Sequence, residues 1–209
     1  MYCKKTNQFC MKNFKFLFGT ILLIVVCVFK SSYLNAQRVM GVYLNGSDFL
    51  SSKPSFTNSE NEKCKIKIND FNYKDYVDVK CKDIKYKFKK DSLFGYCDRA
   101  GNDFRFYNKT IYPVLNRGEQ ILIYKKEIQV GTPKSPELKI KYFFSKDAYS
   151  PIFNLTTNNI ESAFEKNIIF KEFLETHFKN DTELAEFDEI HNIYKINRLL
   201  ELSLKHNSN

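Results

Sequence analysis

Between Val39 and Ser145 apolar and polar residues mostly alternate, and after Thr157 the apolar positions recur every three or four residues. Alternation is the pattern of strands with one buried face; the longer spacing is that of amphipathic helices. Strands are predicted at Val39–Leu44, Lys65–Ile68, Tyr76–Cys81 and Ile84–Lys89, the last two joined tightly by Lys82-Asp83. The clearest unit is Asp91–Leu115, a hairpin leading into a third strand. Leu93, Phe94 and Tyr96 arm one strand, and Phe104 and Phe106 return on the next, alternating with Asp103 and Arg105. The turn is Asp98–Asn102, where Gly101 can take a positive φ and the side chains of Asp98 and Asn102 can cap amides.

Around this unit lie further signals. Asn45-Gly46-Ser47-Asp48 caps a single helical turn through Leu50, and Ser51–Glu62, with Pro54, reads as a surface loop. Pro113 demotes Thr110–Leu115 to an edge strand or bulge. Gln120–Val130 carries Ile121, Leu122, Ile123 and Tyr124 together and should be central. Gly131–Pro136 reads as a loop with two prolines, and Leu138–Ser145 as the hairpin partner of 120–130. Helices are expected at about 158–165, about 168–179 and from Thr182 to about Lys205. In the last, Leu184, Phe187, Ile190, Ile193 or Tyr194, Asn197 and Leu200 fall on one stripe. The fold class is therefore α+β: an antiparallel sheet or partly open barrel (about 38–145) packed by C-terminal helices (about 158–205). No Gly/Ser-rich linker separates the two parts, and Ser150-Pro151 runs at once into Ile152-Phe153. We expect a single domain, 37–209, β-rich over 37–156 and helical over 157–209.

Composition sharpens this picture. Twenty Phe and 13 Tyr, with no Trp, suit half-buried sheets. The net charge of +9 falls to +4 once the five lysines of residues 1–36 are set aside, short of a nucleic-acid footprint. Lys12 and Lys15 precede the apolar run Phe16–Phe29, which Leu34-Asn35-Ala36 follows, the three-part pattern of a secretory signal peptide. The run has 14 residues, whereas a bilayer span needs about 20. Membrane association is thus expected only through this segment before cleavage, which would leave Gln37 first. Val26 is too bulky for a lipidation site at Cys27, and Met11 is the natural start, making 1–10 an upstream extension. The expected destination is the periplasm or cell surface.

Export leaves Cys64, Cys81 and Cys97, an odd number in an oxidising compartment. Cys64 alternates in phase with Ile66 and Ile68, and Cys81 with Val77 and Val79, whereas Cys97 is out of phase with Phe94 and Tyr96. If one bridge forms, Cys64–Cys81 is favoured, worth about 3 kcal/mol; three unpaired thiols are the other reading.

Candidate chemistry is sparse. Lysines 65, 67, 80, 85, 87 and 89 resemble a basic groove for an anionic glycan. Each is also the outward partner of an inward apolar residue, which makes a solvated face the first reading. Glu175-Thr176-His177 and Asp188-Glu189-Ile190-His191 place carboxylates beside imidazoles, but match no metal signature. Asp98–Asp103 is calcium-like only in composition. Tyr96, Arg105 and Tyr107 could stack on a ligand, although sheet aromatics are more often cross-strand pairs. Nucleophile motifs, phosphate loops and dinucleotide fingerprints are absent from the sequence. No catalytic, cofactor-binding or metal-ligating residue is assigned. The reading is a non-enzymatic exported protein that binds an unknown protein partner or envelope glycan. The alternative is a small hydrolase or metal-dependent enzyme using the carboxylates and histidines of 172–191.

The strings GVYLNGSDF (41–49), KDSLFGYCDRAGNDFRFY (90–107) and YKINRLLE (194–201), behind a signal peptide, resemble an uncharacterised family of exported proteins of Gram-negative bacteria. The resemblance implies export and carries over no activity or catalytic residue.

Overall fold

Short alternating runs cut by Gly, Asn and Asp dictate many brief strands. In the computed structural model, which describes residues 39–59, 63–69, 74–132 and 135–206, they are Gly41–Tyr43 (β1), Phe56–Thr57 (β2), Lys65–Lys67 (β3), Tyr76–Cys81 (β4) and Ile84–Lys89 (β5). Then come Gly95–Cys97 (β6), Asp103–Tyr107 (β7), Thr110–Val114 (β8), Leu122–Thr132 (β9), Ser135–Ser145 (β10) and Phe153–Asn154 (β11). Phe187–Asp188 (β12) and Ile193–Tyr194 (β13) form a separate ribbon. The helices are Gly46–Leu50 (α1), Thr157–Ala163 (α2), Ile168–His177 (α3) and Lys195–His206 (α4). Residues Val39–Asn209 make up one compact unit. The expected signal peptide and its extension, 1–36, lie outside the described residues. No described helix is long and apolar enough to cross a membrane.

The fold is α+β. Eight strands form one antiparallel sheet in the order β11-β10-β9-β8-β7-β6-β1-β2, and β3-β4-β5 form a second. The large sheet is open, with β2 and β11 at its edges, so it is not a closed barrel. The turn of the β6–β7 hairpin forms as its sequence dictates: Asp98 N donates to Asn102 O, the Asp98 carboxylate accepts Asn102 N at 2.8 Å, and Gly101 has φ +86°.

Both faces of the large sheet are covered. On one lie Tyr43, Cys97, Leu122 and Tyr124, packed by Phe49 of α1 and by Ala148 and Ile152 of the segment after β10. The opposite face has two covers. The small sheet, through Val77, Val79 and Cys64, packs on Val42 and Phe106. Helices α2 to α4, through Ile160, Phe170, Leu174, Ile196 and Leu200, pack on Ile121, Ile123 and Phe144. Asn197 Oδ1 accepts the Ile121 amide at 2.8 Å, tying α4 to the start of the central strand.

Three expectations need correction. The single helix over 182–205 is instead a one-turn 3-10 segment (Asp181–Ala185), the β12–β13 ribbon and α4. The Asp188 carboxylate captures the amides of Ile190 and His191, and Asn192 turns at φ +52°, so the helical stripe is broken and Ile190 is 90% exposed. Pro113 is interior in the strand order, yet it sits where β8 and β9 have parted, their one registered pair being Val114↔Tyr124. Most of the expected 131–136 loop is strand, since Thr132 pairs with Ser135 and Gly131 with Pro136. Pro136 is tolerated because Tyr142 O accepts from Leu155 N, so Tyr142 and every second residue before it point their backbone polar groups away from β9. Asp103 and Arg105, which alternate with Phe104 and Phe106, are buried as well: each is 5% exposed.

Candidate anion-binding face

Alternation along β3, β4 and β5 turns Ile66, Val77, Val79, Tyr86 and Phe88 inward to the core. The opposite face is left to Lys65, Lys67, Tyr76, Asp78, Lys80, Lys85, Lys87 and Lys89. Register then sets like against like. Lys65 pairs with Lys80 and Lys80 with Lys85, a row of three lysines straight across the sheet. The next row is Lys67, Asp78 and Lys87. Directly opposed like charges repel, by about 1 kcal/mol or less per pair in water. Asp78 is the one carboxylate on this face among the described residues, and its Oδ2 already accepts from Asn69 Nδ2 at 2.9 Å. Lys87 Nζ stands 3.7 Å from the Tyr76 ring centroid, with Lys74 on the same ring at 5.6 Å.

A groove of about 610 Å³ opens beside this face. Lys63, Lys65 and Arg99 line it with Asn58 and Ser59, over Met40 and Ile66, and among the described residues no carboxylate lines it. Three separate segments converge there: the end of β2, the approach to β3, and the β6–β7 turn that presents Arg99. Lys65 belongs to both groove and row. The Cys64–Cys81 disulfide fastens β3 to β4 between Lys63 and Lys65. Guanidinium and ammonium groups with amide and hydroxyl donors above an apolar floor suit carboxylate, sulfate or phosphate groups on a larger body. The lysine row was legible in the sequence. Lys63, Arg99, Asn58 and Ser59 were not, because only tertiary packing brings them together.

Other candidates fare differently. His177 Nδ1 lies 2.9 Å from the Phe173 carbonyl, while His191 Nδ1 lies 2.9 Å from Asp188 Oδ2, which Arg198 also binds at 2.6 Å. No hydrogen bond or ion pair joins the two histidine regions directly. Among the described residues no three His, Cys, Asp or Glu side chains converge as metal ligands. Tyr96 stacks on Phe104 at 4.6 Å on one face of the large sheet, whereas Arg105 and Tyr107 lie on the other, so that patch does not assemble. In the calcium-like run, Asp98 caps its own turn and Asp103 accepts from Tyr43 Oη at 3.0 Å and Arg117 at 2.6 Å.

That buried network was missed by sequence reasoning. Arg105 donates to Tyr124 Oη, Ser145 Oγ and Ser150 O, and stands 5.2 Å from the Phe94 ring centroid. Burial pushes the Tyr43 hydroxyl and the Cys97 thiol above their ordinary values. These groups are locked to one another inside the core, whereas the lysine face and its groove are open to a ligand. Comparison with family models, curated proteins and solved structures returns no match, so the site is defined by its own residues.

Proposed function

We propose that this is a non-enzymatic exported protein that binds an acidic envelope glycan through the lysine face of the small sheet and the adjoining groove. One observation carries the reading: Lys80 lies on the central strand, flanked by Lys65 and Lys85. Lysines on edge strands guard against aggregation, but that role does not account for a lysine in the middle of the row. A polyanion laid across the row gains attraction and relieves the mutual repulsion. The signal-peptide pattern of 1–36 and the Cys64–Cys81 disulfide support an oxidising, extracytoplasmic setting.

The test is calorimetric titration with a carboxylated polysaccharide, polygalacturonate, at low and physiological salt, with neutral dextran and duplex DNA as controls. Polygalacturonate binding that weakens steeply with salt and is lost in Lys65→Glu/Lys80→Glu supports the proposal. Equal binding of dextran, no binding at low salt, or a clear preference for DNA overturns it.

A further inference from the structure

Strands β9 and β10 outrun their neighbours. β8 is registered to β9 only at Val114↔Tyr124, and β11 to β10 only at Phe143 and Phe144. Beyond these pairs the hairpin continues as a ribbon of two strands, from Lys125↔Tyr142 to Thr132↔Ser135. A two-stranded ribbon is marginal in water by itself. Its two edges are not equivalent. On the β10 edge the outward-pointing backbone belongs to Ile140, Leu138 and Pro136, in step with Tyr142, so proline removes a donor and guards that edge. On the β9 edge, Leu115 N donates to Ile123 O, so the outward backbone beyond it belongs to Lys125, Glu127 and Gln129, up to the left-handed turn at Gly131 (φ +91°). That edge carries no proline.

We propose that the β9 edge joins two copies of this chain, antiparallel, about a two-fold axis through Gln129. In this register Ile128 meets the second copy's Val130, Lys126 its Thr132 and Glu127 its Gly131. No like charges are opposed. Ile128 and Val130, only half-buried within one chain, form two β-branched cross-strand pairs. Moving the axis to Glu127 would set that carboxylate against its own copy. The contact is isologous and closed, so it stops at two chains. It would continue the sheet as β10-β9-β9-β10 through the dimer.

Sedimentation equilibrium of the chain from Gln37 onward, which contains the compact unit, tests this. A concentration-dependent dimer is expected. Gln129→Pro removes an outward N–H that β10 does not use, and Ile128→Lys places a second ammonium beside Lys126. Each should raise the dimer dissociation constant about tenfold or more, equivalent to about 1.4 kcal/mol, without lowering the melting temperature of the monomer. Gln129→Cys should cross-link to itself on mild oxidation, and Leu138→Cys, on the guarded strand, should not. A monomer at every concentration overturns the proposal, as does a dimer unmoved by both edge variants. A monomer whose β9 edge instead captures an unrelated extended peptide overturns it as well.

Discussion

Gly95 stands directly opposite Arg105 in the β6–β7 ladder, and a methyl group on Gly95 would lie 1.9 Å from the Phe104 carbonyl oxygen. The obstacle is backbone, which cannot swing aside as a side chain would. Gly95→Ala is therefore expected to destabilise the protein by about 1–3 kcal/mol, the usual scale of overpacking. Urea denaturation checks it, and a variant as stable as the parent would show that the hairpin shifts freely.

Asp103 and Arg117 form an ion pair at 2.6 Å, with side chains 5% and 14% exposed. Arg117 also stacks over Phe49 at 4.6 Å and donates to Tyr43 Oη and Ser52 Oγ. Removing one partner strands a buried charge, at a cost of about 3 kcal/mol or more. We expect Asp103→Ala to reach that scale. The double variant Asp103→Ala/Arg117→Ala should cost clearly less than the sum of the single changes. A double-mutant cycle by chemical denaturation measures the difference, and strict additivity would refute the coupling.

Acid should loosen the β12–β13 ribbon. The hydrogen bond from His191 first, then the His191 amide and the Arg198 guanidinium, hold the Asp188 carboxyl at about 2. An unfolded aspartate titrates near 3.9. The folded value is the lower one, so this carboxylate contributes stability that is present above about pH 4 and lost as the pH falls through about 2. Protection of the 187–194 amides against exchange, taken relative to the intrinsic rate at each pH, should fall over that window, and Asp188→Asn should abolish the pH step. Protection unchanged from pH 5 to 2 would contradict the assignment.

Losing the disulfide should affect stability and binding together. Cys64→Ser/Cys81→Ser is expected to cost about 3 kcal/mol and to weaken polygalacturonate binding at low salt, because β3 carries Lys65 and is tethered next to it. Thermal melts and titrations on one preparation read both. Full binding by the destabilised variant would separate the bridge from the site.

How far the sequence foretold this structure depended on whether a signal was local. The Asp98–Asn102 turn was legible because its caps and its glycine lie within five residues. The pairing of Cys64 with Cys81 followed from phase along two strands. The burial of Asp103 and Arg105 was not legible, because α1 and the chain after β10, which cover their face, are distant in sequence. The run Leu184, Phe187, Ile190, Ile193 imitated a helix, since three-residue spacing also arises when a 3-10 turn is followed by a ribbon. Asp188 and Asn192 were the contrary local signals, with side-chain capping and a left-handed turn. The groove at Lys63, Lys65 and Arg99 had no sequence signature at all.

The three cysteines of the described chain sit in different compartments of one molecule. Cys64 and Cys81 belong to the layer beneath the small sheet, whereas Cys97 lies on the far side of the large sheet, its thiol donating to Val39 O at 3.1 Å. The large sheet thus works as a septum between a sulfur pair and a lone sulfur, and in the folded state the Cys97 thiolate cannot reach the bridge. Unfolding removes the septum and puts three sulfurs on one flexible chain, where exchange runs through the thiolate. Heating at alkaline pH should therefore scramble the bridge and leave unfolding irreversible, while the same cycle in mild acid returns the native pairing.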